Sequence, residues 1–503
     1  MKLPLSLALG LAAASLTAAP MDVTFDLGPG ATYDHGATSP LSAQERFRVN
    51  ALSDLLDLRA ALTVNSDQKY GADVANFKDN NTFFNNYFFV DEGYTVLKAL
   101  PGLTVAAGRM PQVDLVNSPY SLFLNSRGLP ASGTVLGYED SGFLYEDRWI
   151  SLTSRSSFAN DTHAPPAWQK AVYSLNPVGG GFPDRGANLK SFVFKRGTMR
   201  FGFQDGVVYS GRSFDGNYFF SPVPQYFTQY FYAMAGRPWS TNWTDKYHMG
   251  GFWDWNEPDF DVNAQVLVND FSLHFLFPGS VPNNPWKAAW TVGGRIKTPW
   301  GRWGLYHAGA LKYTFEPITA SSDGNGDLQN AVGMTYTPDV EYWVNGDYRA
   351  LAVEDNAIGY LHGENNLALM ATWESDWAGP LHAKASLEYL VAGNNSPANP
   401  WQDMNFSNDV GTQLLNDPLW EHRITLSTRW DWTQGPWTWF AAADLGVRIN
   451  PLTAVAPDLP AGTVTQPGPN TAGWTPMDTL INLYKPQRGL VGIERLTLGG
   501  SYT

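Results

Sequence analysis

From Phe252 to Asn269 the chain reads FWDWNEPDFDVNAQVLVN. In its second half Val262, Ala264, Val266 and Val268 alternate with Asp261, Asn263, Gln265 and Asn269. Side chains that alternate at period two belong to a strand with one face in an apolar medium and the other in a polar one. Ahead of that run, Asn256, Pro258 and Asp259 are turn formers, so the stretch reads as two strands folded back about NEPD. The period returns along the chain. Leu56, Leu58, Ala60, Leu62 and Val64 oppose Asp57, Arg59, Thr63 and Asn65, and Ala288, Trp290, Val292 and Ile296 oppose Thr291, Arg295 and Lys297. Ala383, Ala385, Leu387 and Tyr389 oppose His382, Lys384, Ser386 and Glu388, and the row from Trp437 to Ile449 opposes Thr438, Asp444, Arg448 and Asn450.

These runs extend over roughly nine to eleven residues, the length a tilted strand needs to cross a bilayer and longer than the usual five or six. Tight turns at Arg196-Gly197-Thr198, TPWGRWG and DWTQGPW join them, with Trp300, Trp303, Trp432 and Trp437 beside the turns as in the interfacial girdles of membrane barrels. Long irregular segments at about 112–140, 156–188, 211–245, 392–420 and 451–480 separate the hairpins, which gives one end short turns and the other long loops. The expectation is an all-β fold, a transmembrane antiparallel outer-membrane β-barrel of roughly 14–18 strands. Residues 20–503 form it, with long external loops; residues 20–50 and the run FKDNNTFFNNYF stay open to a periplasmic or plug role.

Composition agrees. The 503 residues are 14% aromatic and 16% charged, against about 25% charged in ordinary globular domains. The opening MKLPLSLALGLAAASLTAAP has one Lys2, a short apolar run and small residues, which reads as a signal peptide over residues 1–19 and export to the cell outer membrane. No later apolar stretch reaches the about 18 residues of a transmembrane helix. With no cysteine the chain has neither disulfides nor thiolate metal sites, and a net charge of -14 argues against nucleic acid as a partner.

Three motifs invite other readings. Asn-Glu-Pro after an aromatic strand resembles the general-acid segment of barrel-type retaining glycoside hydrolases, which would make Glu257 catalytic. Such an enzyme needs a second carboxylate about 5 Å away and helices alternating with short buried strands. The attractive partner is Glu374 in TWESDW, yet it lies on an alternating strand and no helical pattern intervenes, so no catalytic residue is expected. SSDGNGDLQN sets Asp323, Asn325 and Asp327 at calcium-loop spacing, but Leu328 replaces the turn glycine and Met334 the bidentate Glu. The eight histidines, His248, His274, His307 and His362 among them, are scattered singly, so neither a metal site nor a nucleophilic triad is expected. No phosphate loop is present, and no cofactor is expected.

On the polar faces Arg295, Lys297, Lys312, Arg349, Lys384, Arg429 and Arg448 stand with Glu316, Glu374, Glu388, Asp431 and Asp444. Both signs in one lumen imply either a hydrated channel with a transverse field or ion pairs that rigidify and plug the barrel. The aromatic loops GNYFFSPVPQYFTQYFYAM and NNSPANPWQDMNF have the chemistry to stack sugar rings or to pack on themselves.

The succession VNAQVLVNDFSL, WTVGGRI, WGLYHAGALKYTF, DYRALA and IGYLHGENNLALMATWE, preceded by GRMPQ, SLFLNSRGLP and FLYEDRWISLTSRS, resembles the Wzi-like capsule-assembly outer-membrane β-barrel family and its spirochaete-type relatives over about residues 94–395. The resemblance implies a large monomeric surface barrel acting with polysaccharide and without catalysis, and Asn269, Asp270, Gly359 and Glu364 fall at family-like positions. The chain departs from the barrel pattern at its end, where Thr503 follows the aromatic Tyr502. The expected function is non-enzymatic binding or organisation of surface polysaccharide. A general or substrate-specific porin is the alternative, and a secreted glycoside hydrolase using Glu257 the second. The expected partners are outer-membrane lipid and either polysaccharide or small solutes.

Overall fold

The computed structural model describes residues 22–35, 40–66, 82–83, 86–153, 185–210, 212–232, 245–270, 285–315, 336, 341–344, 347–350, 357–394, 411–455 and 483–502. In chain order the elements begin with β1 (Asp22–Asp34), β2 (Leu41–Leu52), β3 (Leu56–Asn65), β4 (Thr82–Phe83), β5 (Asn86–Leu100) and β6 (Leu103–Pro111). They continue with β7 (Pro130–Glu139), β8 (Phe143–Thr153), β9 (Arg185–Arg196), β10 (Met199–Ser210), the helices α1 (Gly216–Phe219) and α2 (Gln225–Tyr232), β11 (Lys246–Asn256) and β12 (Phe260–Asp270). Then follow β13 (Lys287–Thr298), β14 (Gly301–Ala310), β15 (Glu341–Val344), β16 (Asp347–Ala350), β17 (Asn366–Glu374) and β18 (Leu381–Ala392). The last are β19 (Glu421–Gln434), β20 (Trp437–Ile449), β21 (Leu452–Val455), β22 (Leu483–Pro486) and β23 (Leu490–Tyr502).

Eighteen of these strands pair antiparallel, each with the next, and β23 returns to β1, so the sheet is a closed barrel of the outer-membrane type with no free edge along most of its wall. β4 pairs only with β5, and β15–β16 and β21–β22 are separate hairpins outside the wall. Of residues 20–50, open to a plug role from the sequence, Asp22–Asp34 and the chain from Leu41 onward belong to two wall strands. Segment 112–140 is loop only to 129, because β7 occupies 130–139. Among the described residues no helix is long and apolar enough to cross a membrane.

Period two fixes which side faces out. On β13 Val292 and Ile296 are exposed on the outer surface while Thr291 and Arg295 turn inward, and on β19 Ile424, Leu426, Trp430 and Trp432 face out while Arg423, Ser427 and Arg429 face in. Each such apolar side chain gains about 1.5–3 kcal/mol on leaving water, so the wall is stable only with lipid outside. Beside the short turns the Trp rings form a chain around the wall: Trp303–Trp373 at 6.3 Å, Trp373–Trp377 at 5.6 Å, Trp377–Trp430 at 6.3 Å and Trp437–Tyr502 at 4.9 Å between centroids. The turns themselves need little room. Gly197 takes φ +61°, a left-handed value that favours glycine, and a Cβ there would meet nothing.

A second apolar core lies inside the barrel. Residues 112–129, between β6 and β7, and 357–365, before β17, fold into the lumen and join through Asn125 N–H to Ala357 O (3.0 Å) and Gly359 N–H to Phe123 O (2.9 Å). Tyr120, Leu122, Phe123, Ile358 and Tyr360 are buried there against small inward residues of the wall, Ala187, Val208, Ala289 and Ala308.

Candidate functional site

Asp114 pins the inward fold. Its carboxylate accepts from Val116 N (3.2 Å), Phe123 N (3.2 Å), Leu124 N (3.1 Å) and the side-chain amides of Gln204 (3.1 Å) and Gln265 (3.2 Å). Gln265 also accepts from Leu122 N at 2.9 Å, so β10 and β12 present amides where the loop presents unpaired backbone. A second latch holds residues 357–365. Glu388 of β18 accepts from the Tyr120 hydroxyl and from His362 Nε2, both at 2.8 Å, and Arg423 of β19 donates to His362 Nδ1 at 3.0 Å. Arginine can only donate, so Nδ1 carries no proton and His362 is the neutral Nε2–H tautomer. Burial lowers its pKa, against the raising pull of Glu388.

Among the described residues three cavities lie elsewhere in the lumen. One cavity of about 520 Å³ is lined by Arg295, Arg302, Glu374, Lys384, Arg429 and Asp444. A second of about 510 Å³ is lined by Asp26, Gln44, Arg46, Arg48, Arg429 and Thr497, and a third of about 370 Å³ by Arg48, Asn50, Arg59, Glu92 and Tyr94. Arg429 lines the first two and Arg48 the last two, so the three lie in one row along the lumen with an arginine between each neighbouring pair. Its lining holds the cations Arg46, Arg48, Arg59, Arg295, Arg302, Arg429 and Lys384 against four carboxylates, Asp26, Glu92, Glu374 and Asp444. Several cations are already bound: Arg46 to Glu92 (2.6 Å), Arg295 to Asp261 (3.0 Å), Lys384 to Glu374 (3.0 Å) and Arg429 to Asp431 (2.8 Å). Arg59 instead lies over the Tyr94 ring at 5.9 Å, and Arg48 reaches Glu92 only at 3.4 Å. Those two guanidiniums leave donors for an incoming anion.

The sequence-derived set therefore divides. Arg295, Glu374, Lys384, Arg429 and Asp444 come together around one cavity, with Asp431 orienting Arg429. Glu388 holds the latch. Lys297 pairs with Asp376 at the short-turn rim (3.1 Å), and Arg448 is bound to Glu421 (2.8 Å) near the loop end. Two positions are corrected. Lys312 follows the end of β14 and pairs with Asp417 (3.3 Å), and Arg349 sits on β16, which pairs only with β15, so neither stands on a wall strand. Glu316 lies outside the described residues, as does the calcium-like stretch 321–330. Of the family-like positions, Asn269 donates to Thr314 O (3.0 Å) and Gly359 belongs to the inward fold. Sequence reasoning missed Arg46, Arg48, Arg59 and Arg302 as a lumen set, although Arg46 and Arg48 alternate with Phe47 and Val49.

The hydrolase reading of Glu257 fails on geometry. NEPD is the β11–β12 turn, and Glu257 there accepts from Trp255 Nε1 (3.0 Å) and Thr198 Oγ1 (2.8 Å). These bonds hold its carboxyl below the usual value, whereas a general acid needs a raised one. β12 is three strand spacings, about 14 Å of backbone, from the β17 of Glu374, and Glu374 is paired with Lys384 (3.0 Å).

No family model matches the chain, and no curated protein does. Among solved structures it is similar to Wzi of Escherichia coli, an outer-membrane protein involved in group 1 capsule assembly and described as a carbohydrate-binding β-barrel, at 11% identity over 98% of this chain and 87% of that one, with a TM-score of 0.48. It is also similar to OccAB2 of Acinetobacter baumannii at 10% identity over 96% and 98% of the two chains, TM-score 0.44, and to OpdK of Pseudomonas aeruginosa, solved with vanillate, at 10% over 96% and 98%, TM-score 0.41.

Proposed function

We propose that this chain is a non-enzymatic outer-membrane barrel whose lumen admits small anionic, hydroxylated solutes. The observation that carries the reading is the arginine-lined row of three cavities, in which Arg48 and Arg429 each stand between two. Guanidinium forks match carboxylates or phosphates, while Asn50, Gln44 and Thr497 beside them match hydroxyls. Flux into proteoliposomes tests it. Galacturonate enters severalfold faster than galactose if the row of cavities works as described; equal rates, or no flux through heat-modifiable folded protein, would overturn it.

Binding of an acidic surface polysaccharide is the second reading, favoured by the inward fold held by Asp114 and Glu388, which narrows the bore. It predicts retention of an acidic glycan by the folded barrel without flux of its monomers.

A further inference from the structure

Most charged side chains of the wall turn inward, yet a fully buried group of three stands on the outer face. Asp147 of β8, Lys190 of β9 and Asp205 of β10 share the outward parity of Phe143, Phe194 and Phe201, and each register pairs them near mid-strand. Lys190 lies four residues from Phe194 at the short-turn end, about 13 Å of strand, which puts the group within the apolar band. All three are fully buried.

What buries them is α1 and α2. Lys190 Nζ lies 3.7 Å from Asp147 and donates to Tyr218 O (2.7 Å) and Val223 O (3.1 Å), and Asp205 accepts from Gln225 N (2.5 Å) at the start of α2. Arg212, bound to Asp215 and Asp245 at 2.7 Å each, and the Tyr218 hydroxyl, also on Asp245 at 2.7 Å, fasten both ends of the segment.

The helix α2 is inside out. Gln225 and Thr228 face the wall and are buried, while Phe227 (62% exposed), Tyr226, Tyr230 and Phe231 face away, with Phe220 (75%) beside them. None of the residues 216–232 is charged. A helix in water turns its polar side out; one packed on a polar patch within lipid does the reverse. The exposed rings continue the apolar outer face of the wall, which already requires lipid.

We propose that α1 and α2 form a shelf embedded in the outer leaflet, where Phe220, Phe227, Tyr230 and Phe231 meet lipid acyl chains rather than the medium or a second barrel. The inference rests on the membrane reading of the barrel, so its test carries its own control. The chain has no cysteine. Phe227→Cys, Tyr230→Cys and, on the outward wall, Leu305→Cys are each spin-labelled, refolded, checked for the heat-dependent gel shift and placed in phosphatidylcholine vesicles. Collisional broadening is then measured with oxygen and with a water-soluble nickel chelate. Labels at 227 and 230 are expected to favour oxygen over nickel as strongly as the label at 305. Nickel access at 227 and 230 with oxygen preference at 305 overturns the shelf and keeps the barrel. Low access to both reagents at 227 and 230 also overturns it, because protein then covers the rings. Nickel access at 305 sinks the membrane reading itself, and the shelf with it.

Discussion

The lumen has two sectors built from the same alternating strands, and they hold different things. Along β7 to β14 small residues, Ala187, Val208 and Ala289, stand among the inward side chains beside the amides Gln204 and Gln265 and the guanidiniums of Arg148 and Arg200, which donate to Gln112 Oε1 (2.8 Å) and Leu115 O (2.9 Å), and the space is filled by residues 112–129 and 357–365. Along β1 to β3 and β19 to β23 the inward side chains include Arg46, Arg48, Arg59, Arg429 and Asp444, and the space between them is left as cavities. Small residues leave room for a second chain segment, and amides and guanidiniums satisfy its polar groups. Polarity alone does not tell the sectors apart; the small residues that leave room beside it do.

The comparison breaks most sharply at Asp114. Asp114→Ala strands five donors in a buried site and is expected to cost on the order of 3–5 kcal/mol, lowering the denaturant midpoint of the heat-modifiable band and widening the conductance. An unchanged midpoint would mean that the filled sector is not held as described. The sector with the cavities answers differently. Arg48→Ala with Arg429→Ala is expected to leave the midpoint within about 1 kcal/mol, since such half-exposed pairs contribute little, while the anion-over-cation permeability ratio falls severalfold. A ratio that does not move would place selectivity elsewhere.

The boundary between the sectors titrates. His362 is neutral in the fold and its pKa is lowered by burial, so the unfolded chain binds the proton first. Stability is therefore unaffected above about pH 6.5 and falls as pH drops below it, because protonation of Nδ1 removes the Arg423 bond and faces the cations Arg423 and Arg127. His362→Gln should flatten that dependence in a pH series of denaturation midpoints. The smallest effect belongs to Glu257→Gln, which removes only turn hydrogen bonds and is expected within about 0.5 kcal/mol, with flux unchanged.

The wall was legible in the sequence because one face of each strand meets lipid and the other does not, so Val262 to Val268 and Ala383 to Tyr389 display the medium directly. The inward fold was not, because residues 112–129 have no period; their pairing is with Gln204 and Gln265, which look like any inward polar residue. Arg349 and Lys312 misled because a short alternating run does not say whether it belongs to the wall. The outer charge cluster did leave a mark. Asp205 interrupts the row Phe201, Phe203, Val207, Tyr209, and an aspartate in a lipid-facing row needs a cover.

The most direct test of the central claim is the reversal potential of the folded barrel in a planar bilayer under a tenfold KCl gradient. A passage lined by Arg46, Arg48, Arg59 and Arg429 predicts a potential displaced toward the chloride equilibrium value, and displaced less in the double Arg48→Ala, Arg429→Ala variant. A potential on the potassium side, or no conductance from protein that shows the heat shift, would contradict it.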